Sequence, residues 1–170
     1  MQTATRFPVA IHILLLAEFM KDSRKITSDF ISGSVNTNPV VIRRIMGLLG
    51  KAGLIETLPG TGGTRLSRPP EKITLLDVYR ACEPDDSGKI LRIHTDTAQA
   101  CLVGGNIFAL LDPYFGKAQR AMENELGRMT LADLLRDLSG MVGRPARPSR
   151  GMGRPADGSG RAESPGRRRG

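Results

Sequence analysis

Apolar residues in the segment 39–52 recur at helical spacing. They stand at positions i, i+3, i+4 and i+7, on one side of a helix: Ile42, Ile45, Met46 and Leu49. Asn38 favours a helix start, because its side chain can accept a hydrogen bond from a free amide of the first turn. Pro39 suits the first helical position, where the missing N–H is not needed. Gly53 is suited to end the helix. The pattern predicts one well-delimited helix.

A shorter helix is predicted just ahead of this one. Thr27 can cap it, and Phe30 and Ile31 supply its apolar contacts. Residues 33–37 leave room only for a tight turn. Two helices joined by so short a turn cross each other, which is the arrangement of a helix-turn-helix unit.

Two short β-leaning runs follow, at 54–58 and 64–67, with a glycine-rich stretch at 60–63 between them. A phosphate-binding nucleotide loop would open a helix and continue into Lys and Ser or Thr. This stretch opens a strand instead, so a turn is favoured. A helix-turn-helix followed by such a hairpin is a winged helix. The predicted fold is therefore mainly α with a small β-hairpin wing.

The first predicted helix, residues 4–21, is apolar on almost all sides. A helix of this kind is buried on more than one face. It lies at the centre of the domain or also meets a partner chain. His12 within it is interpreted as a packed or interface histidine rather than a metal ligand.

Two further helix starts carry capping residues. Thr74 is a good N-cap, and Asp77 three residues later gives a variant of the capping box. Thr130 is predicted to cap a last helix that ends at Leu138.

Three stretches together resemble one known family. They are 51–55 (KAGLI), 60–63 (GTGG) and 68–78 (RPPEKITLLDV). They resemble the Rrf-two family of bacterial iron–sulfur cluster regulators, nitric-oxide-sensing repressors and cysteine-metabolism repressors. The resemblance covers about residues 4–139. It implies a homodimeric winged-helix transcriptional regulator, a repressor, that binds double-stranded DNA at a palindromic operator. Thr64 departs from the many members that have an aromatic residue there.

A long helix is predicted over 106–128, with a kink or a fresh start at Pro113. It has an apolar stripe and no second domain to cover that stripe. In the family the equivalent helix forms the dimer, so the resemblance implies a homodimer here. The alternative is a helix that packs back on its own domain.

The net charge of +8 is unevenly distributed. Residues 140–170 hold eight Arg against Asp157 and Glu163. Residues 38–80 carry seven basic and three acidic side chains, whereas 81–139 carries six basic and nine acidic. The winged helix is thus a modest positive focus. The Gly-, Pro- and Arg-rich end is predicted to be disordered, either as an inert solubilising tail or as a cationic arm that strengthens nonspecific DNA affinity.

The second helix of the helix-turn-helix unit is the expected DNA reader, with its N-terminal edge toward the bases. Arg43 and Arg44 can pair with guanine or hold a phosphate, although either one alone could be a solvated surface charge. The predicted DNA-binding residues are Thr27, Ser28, Asn36, Thr37, Asn38, Pro39, Val40, Arg43, Arg44 and Arg65.

The chain has only two cysteines, Cys82 and Cys101, and two histidines, His12 and His94. Iron–sulfur members of the family carry three closely spaced cysteines beyond the winged helix, so this chain departs from their ligand pattern. The prediction is therefore no cofactor and no metal site. Cys82 is expected in the core. Cys101 resembles a cysteine that cluster-free members keep, and it is the candidate redox sensor. The alternative for Cys101 is a small buried hydrophobic residue.

No catalytic constellation is visible in the sequence, so the chain is predicted not to be an enzyme. The predicted division is a winged-helix DNA-binding domain at 1–83, linker and dimerisation helices at 84–139, and a disordered tail at 140–170. No apolar run spans a membrane, and the cysteine content favours the cytoplasm. Two rival interpretations are a winged-helix protein-interaction module without DNA binding and a small thiol enzyme built around Cys101.

Overall fold

The computed structural model of the chain describes residues 3–58, 63–82, 91, 93–94 and 96–142. Within them the elements, in chain order, are α1 (Thr3–Phe19), α2 (Ser28–Val35), α3 (Pro39–Lys51), β1 (Ile55–Leu58), β2 (Gly63–Leu66), a 3-10 turn (Pro70–Lys72), α4 (Leu75–Cys82), α5 (Ile107–Arg128) and α6 (Leu131–Val142). The two strands pair antiparallel, with Ile55 opposite Leu66 and Leu58 opposite Gly63. The predicted helical fold with a hairpin wing is confirmed.

Helix α1 lies at the centre of the core. Its residues Ala10, Ile13, Leu14 and Ala17 are fully buried. They share one core with residues from every neighbouring element, among them Ile31, Ile42, Leu49, Ile73, Val78 and Leu131. Helix α1 packs against α2, α3, α4, α6 and β2. The predicted burial of this helix on more than one side is confirmed.

The helix-turn-helix unit begins and ends as its sequence indicates. The Thr27 hydroxyl oxygen accepts a hydrogen bond from the Phe30 N–H at 3.2 Å, and the Asn38 side chain accepts one from the Val40 N–H at 2.8 Å. Pro39 occupies the first helical position. Gly53 has a φ of +66°, the left-handed conformation in which glycine lacks the usual steric penalty. The predicted caps and turn are confirmed.

The hairpin is fastened to the segment that precedes α2. The Thr64 N–H donates to the Ile26 carbonyl at 2.9 Å. Gly63 has a φ of +73°, and a Cβ there would lie 2.9 Å from the Lys25 Cγ and 3.1 Å from the backbone of Ile26. Only glycine fits at this junction. The small Thr64 side chain is buried beside it.

Helix α6 is joined to the winged helix by backbone hydrogen bonds. The Leu75 N–H donates to the Met129 carbonyl at 2.9 Å, and the Leu131 N–H donates to the Ile73 carbonyl at 2.8 Å. Leu131 is fully buried in the common core. The sequence prediction ended this helix at Leu138, but α6 continues to Val142.

The predicted disorder is wrong for residues 140–142, which are helical. A glycine at 140 lowers helix propensity, but it does not outweigh the packing of α6 on α1. The remainder of the predicted tail, 143–170, lies outside the described residues. The division of the chain at residue 83 stays a prediction.

Helix α5 runs without interruption through Pro113. The predicted fresh start at that residue is wrong, since proline removes only one backbone hydrogen bond and the rest of this long helix remains. None of its residues, all of which the structure describes, is buried. It contacts α4, where the Arg80 guanidinium lies 3.3 Å from the Glu123 carboxylate. No helix in the described part of the chain is long and apolar enough to cross a membrane.

A reciprocal capping box starts α6 and generates a pH prediction. The Thr130 hydroxyl and backbone N–H donate to the Asp133 carboxylate at 2.7 and 2.9 Å. These bonds, with Arg136 nearby, lower the pKa of Asp133 to about 2. The folded pKa thus lies below the ordinary Asp value of about 3.9. The stabilisation is present above about pH 4 and is lost as the pH falls through about 2.

We therefore expect Asp133→Ala to lower the melting temperature at pH 7, and the gap to the wild type to narrow between about pH 4 and pH 2. Thermal unfolding followed by circular dichroism measures both. Asp137→Ala is the matched control, because Asp137 is an exposed acid on the same helix whose nearest cation atom lies 3.9 Å away. A gap that stays constant with pH would contradict the assigned role of the carboxylate.

Candidate nucleic-acid interface

Helix α3 presents one continuous exposed face. Its apolar side, Ile42, Ile45 and Leu49, is buried in the core. The opposite side is exposed and consists of Val40, Arg43, Arg44, Gly47, Gly50 and Lys51. Successive residues of a helix are about 100° apart, so Arg43 and Arg44 occupy the two edges of this face. Val40, 66% exposed, lies between them. The middle of the face is smooth at Val40 and Gly47, Arg43 and Arg44 are cationic at its edges, and Lys51 adds a cation at its C-terminal end.

Arg43 sits on the edge nearest α2. Its guanidinium lies 3.7 Å from the Asp29 carboxylate, and both side chains are mostly exposed. An exposed pair at this distance contributes little to stability and rearranges easily. Arg43 is therefore held near the start of α2 but remains able to meet a phosphate or a base.

Arg44 sits on the other edge. It borders a small hollow of about 50 Å³ together with Arg6 of α1 and the apolar side chains of Val41, Ile45 and Leu48. Two arginines thus flank this side of α3. Arg6 was not among the residues predicted from sequence, because nothing in the pattern of α1 indicates that its first turns lie beside α3.

The residues at the start of α3 differ in whether their side chains are already used in hydrogen bonds within the chain. The Asn38 oxygen is used as the helix cap, so this side chain offers only its NH₂ group as a donor to another molecule. Asn36 is exposed and adopts the left-handed conformation, φ 52°, that ends α2. Thr37 is half-buried between them. The turn places these side chains at the N-terminal edge of α3, as predicted.

The wing contributes a further cationic side chain. Arg65 of β2 lies opposite Glu56 of β1, with the guanidinium 3.7 Å from the carboxylate. Both side chains are about half exposed. The tip of the wing, residues 59–62, lies outside the described residues.

A cleft of about 560 Å³ lies between α3, the hairpin and the segment 25–28. We call it the wing cleft. Arg43, Gly47 and Gly50 line it from α3, and Thr57 lines it from β1. Thr27 and Ser28, predicted from sequence as DNA contacts, line it from the start of α2, together with Lys25. The structure thus brings predicted DNA contacts from α3 and from the start of α2 together around one cleft. Lys25 and Thr57 were missed, because only the three-dimensional fold brings them to the predicted residues; the two glycines share the helix of Arg43 but were not predicted as contacts.

The two cysteines differ sharply in environment. Cys82 is 1% exposed and belongs to the core, as expected. Cys101 is exposed in the turn that precedes α5. The backbone N–H groups of Gly104 and Val103 donate to its sulfur and lower the pKa of the thiol below its ordinary value. The alternative that Cys101 is a buried hydrophobic residue is wrong for the single chain.

Large apolar side chains stand exposed next to Cys101. They lie on the turn and on the first half of α5 and comprise Leu102, Val103, Phe108, Leu110 and Tyr114. A second apolar surface lies on α1 and α6, where Ile11, Leu15, Phe19 and Leu138 border a groove of about 420 Å³. His12 borders the same groove, and its Nε2 lies 3.1 Å from the Ser34 hydroxyl. Exposed large apolar side chains in this number are typical of an interface.

A family model described as "Iron-dependent Transcriptional regulator", Rrf2, matches residues 3–137. The description implies iron, but the donor set does not fit it. In the described ranges no three His, Cys, Asp or Glu side chains are grouped so that they could hold a metal ion. Cys82 is enclosed in the core and Cys101 lies on the surface, so the two thiols do not form a ligand pair.

Individual proteins agree with the family model. YwnA of Bacillus subtilis, an inferred HTH-type transcriptional regulator, is 41% identical over 134 residues, which cover 79% of this chain and 97% of YwnA. The crystal structure of an inferred DNA-binding protein is 40% identical with a TM-score of 0.60, covering 77% of this chain and 99% of that one. IscR of T. potens shares the fold at 20% identity, with a TM-score of 0.62 over 84% of this chain and 91% of its own. The chain belongs to the Rrf2 (Rrf-two) family of transcriptional regulators.

Proposed function

We propose that the protein is a homodimeric repressor that binds double-stranded DNA by placing α3 in the major groove. The observation that carries this proposal is the exposed face of α3, with Arg43 and Arg44 at its two edges. A helix in the major groove lies between two phosphate strands, so cations at both edges match the charges on either side. Family membership supports the same function.

Each predicted contact has a role in this arrangement. The N-terminal edge of α3, from Asn36 to Val40, faces the base edges, as in helix-turn-helix docking. Thr27 and Ser28 offer hydroxyl groups to a phosphate. Arg65 on the wing is placed to meet the backbone beside the groove that α3 enters.

The unburied surface of α5 supports a homodimer. This long helix exposes Phe108, Leu110 and Tyr114, which a second copy would cover. A two-fold dimer presents two α3 helices to successive major grooves, about 34–36 Å apart, and requires a palindromic operator. No cofactor and no membrane enters the proposal, and the protein acts in the cytoplasm as a regulator rather than as an enzyme.

Cys101 is the proposed sensor of a redox signal. Its lowered pKa increases the fraction of thiolate, the form that attacks a peroxide oxygen. Attack on a hydroperoxide breaks the O–O bond, leaves a sulfenic acid on Cys101, and reduces the peroxide to an alcohol or water. The oxidised group would sit where the turn meets α5, beside the exposed apolar side chains. Oxidation there would shift the dimer helix and change the spacing of the two α3 helices.

The first prediction tests the DNA-reading helix. Arg43→Ala and Arg44→Ala should each weaken binding to DNA from the protein's own promoter. The loss should be about 1–3 kcal/mol where the arginine reads a base. Where it holds a phosphate, affinity should fall on all sequences, and the slope of log K against log salt should shrink by about one. Fluorescence anisotropy over a salt series separates the two roles.

Arg128→Ala is the charge-matched control. Arg128 is 78% exposed at the end of α5, so its removal lowers the net charge equally without touching α3. Full DNA binding by the Arg43→Ala, Arg44→Ala double variant would refute the proposal. It would favour the rival interpretation, a winged helix that binds a protein instead.

The second prediction tests Cys101. In the folded protein iodoacetamide should modify Cys101 and spare Cys82, and the pH midpoint of the reaction should lie below that of an unperturbed thiol. Hydrogen peroxide should weaken operator binding, and dithiothreitol should restore it. Cys101→Ser should bind DNA normally but no longer respond to peroxide.

Cys82→Ser controls for an indirect effect of the buried thiol, and it should retain the response if it folds. Mass spectrometry after alkylation identifies the modified cysteine directly. An unchanged peroxide response in Cys101→Ser would remove Cys101 from the mechanism while leaving the DNA-binding proposal in place.

A further inference from the structure

We propose that the wing cleft seats one sugar–phosphate strand of the operator, and that Gly47 and Gly50 let this strand approach the backbone of α3. The inference rests on the proposed DNA binding and identifies contacts beyond the arginines. It explains why two glycines stand on the exposed face of a helix, where each lowers helix stability relative to alanine.

The backbone conformation gives no reason for glycine at either position. Both residues lie inside α3. The glycines with positive φ in the described chain are Gly53 and Gly63. At those two positions another residue would be strained, whereas 47 and 50 have helical backbone that alanine favours.

Internal packing gives no reason either. A Cβ built on Gly47 meets no described atom within 4 Å. A Cβ on Gly50 meets only the Ile55 carbonyl oxygen, at an ordinary contact distance of 3.9 Å. The contrast with Gly63, whose Cβ would lie 2.9 Å from Lys25, shows what an internally required glycine looks like in this fold. The space above Gly47 and Gly50 is open to another molecule.

The surroundings of the two glycines indicate which molecule would occupy this open space. Both line the wing cleft, whose lining also contains the cations of Lys25 and Arg43 and the hydroxyls of Thr27 and Thr57. Neither Asp nor Glu is among its described lining residues. Charge and hydrogen-bonding groups therefore match a phosphodiester chain. The apolar side chains of Met46 and Leu58 also line the cleft and suit contact with deoxyribose.

The geometry of the proposed complex also indicates that a DNA strand occupies the wing cleft. With α3 in the major groove and the hairpin beside it, the DNA strand that borders this groove passes between them. The cleft, about 560 Å³, is the space between those two elements. A strand seated there would touch α3 along the line of positions 43, 47 and 50. A side chain at 47 or 50 would hold it away from the helix.

The test uses substitutions that move stability and binding in opposite directions. Gly47→Ala and Gly50→Ala should raise the melting temperature by about 2–4 °C, because alanine favours the helix. They should weaken DNA binding, by about tenfold in the double variant. Since phosphate contacts carry no sequence information, operator and nonspecific DNA should lose affinity by a similar factor. Gly47→Leu, with a larger side chain, should weaken binding further.

Gly140→Ala is the matched control. Gly140 is also a helical glycine with nothing within 4 Å of a built Cβ, but it lies in α6 and does not line the cleft. This variant should keep full DNA affinity.

Wild-type affinity in the Gly47→Ala, Gly50→Ala double variant would overturn the inference while leaving DNA binding intact. A lowered melting temperature in both single variants would also overturn the inference, since it would show that the glycines are required for the stability of the fold. If the wild type and Gly140→Ala also fail to bind promoter DNA, the proposed function itself fails, and the inference with it.

Discussion

The packing of α1 is the interaction on which the rest of the fold depends. Four of its side chains, Ala10, Ile13, Leu14 and Ala17, are fully enclosed. Its neighbours include elements that are distant in sequence, among them α3, α4 and α6. The small alanines let these elements approach α1 closely, while Ile13 and Leu14 fill the space between them. The position of α3 on the surface is set by this contact, because the buried side of α3 joins the same core. The function of the exposed face of α3 thus depends on side chains that no partner touches.

Local features were predictable from the sequence because short-range physics dominates them. The caps at Thr27, Asn38 and Thr74, and the left-handed Gly53, form bonds or conformations within a few residues of themselves. The winged-helix order followed from these starts and stops. The end of α6 was misjudged because propensity argued for a stop near residue 138, whereas packing on α1 carries the helix to Val142. Helix α5 is a similar case. Pro113 is a local signal for a helix start, but it is outweighed by the long helix around it, which continues through this residue.

The interface was predictable only in part, for a geometrical reason. Helical periodicity identifies the exposed side of α3 and hence Arg43 and Arg44. It gives no information on which residues from other elements lie beside that side. Arg6, Lys25 and Thr57 reach it through the tertiary fold alone. The state of Cys101 was also beyond sequence reasoning. Its exposure, and the backbone N–H groups that lower its pKa, are properties of a turn whose shape the residue pattern does not specify.

The hydrogen bonds between 73–75 and 129–131 have a consequence for how such a chain can diversify. Thr74, just ahead of α4, and Thr130, just ahead of α6, form a bridge that holds the starts of these two helices together. The chain from 83 to 128 is an excursion between these two anchored elements. The entropy of closing such a loop grows only slowly with its length. Residues can therefore be inserted into, or removed from, this excursion at little cost to the stability of the winged helix. The architecture allows the segment between α4 and α6 to vary while the winged helix keeps its shape.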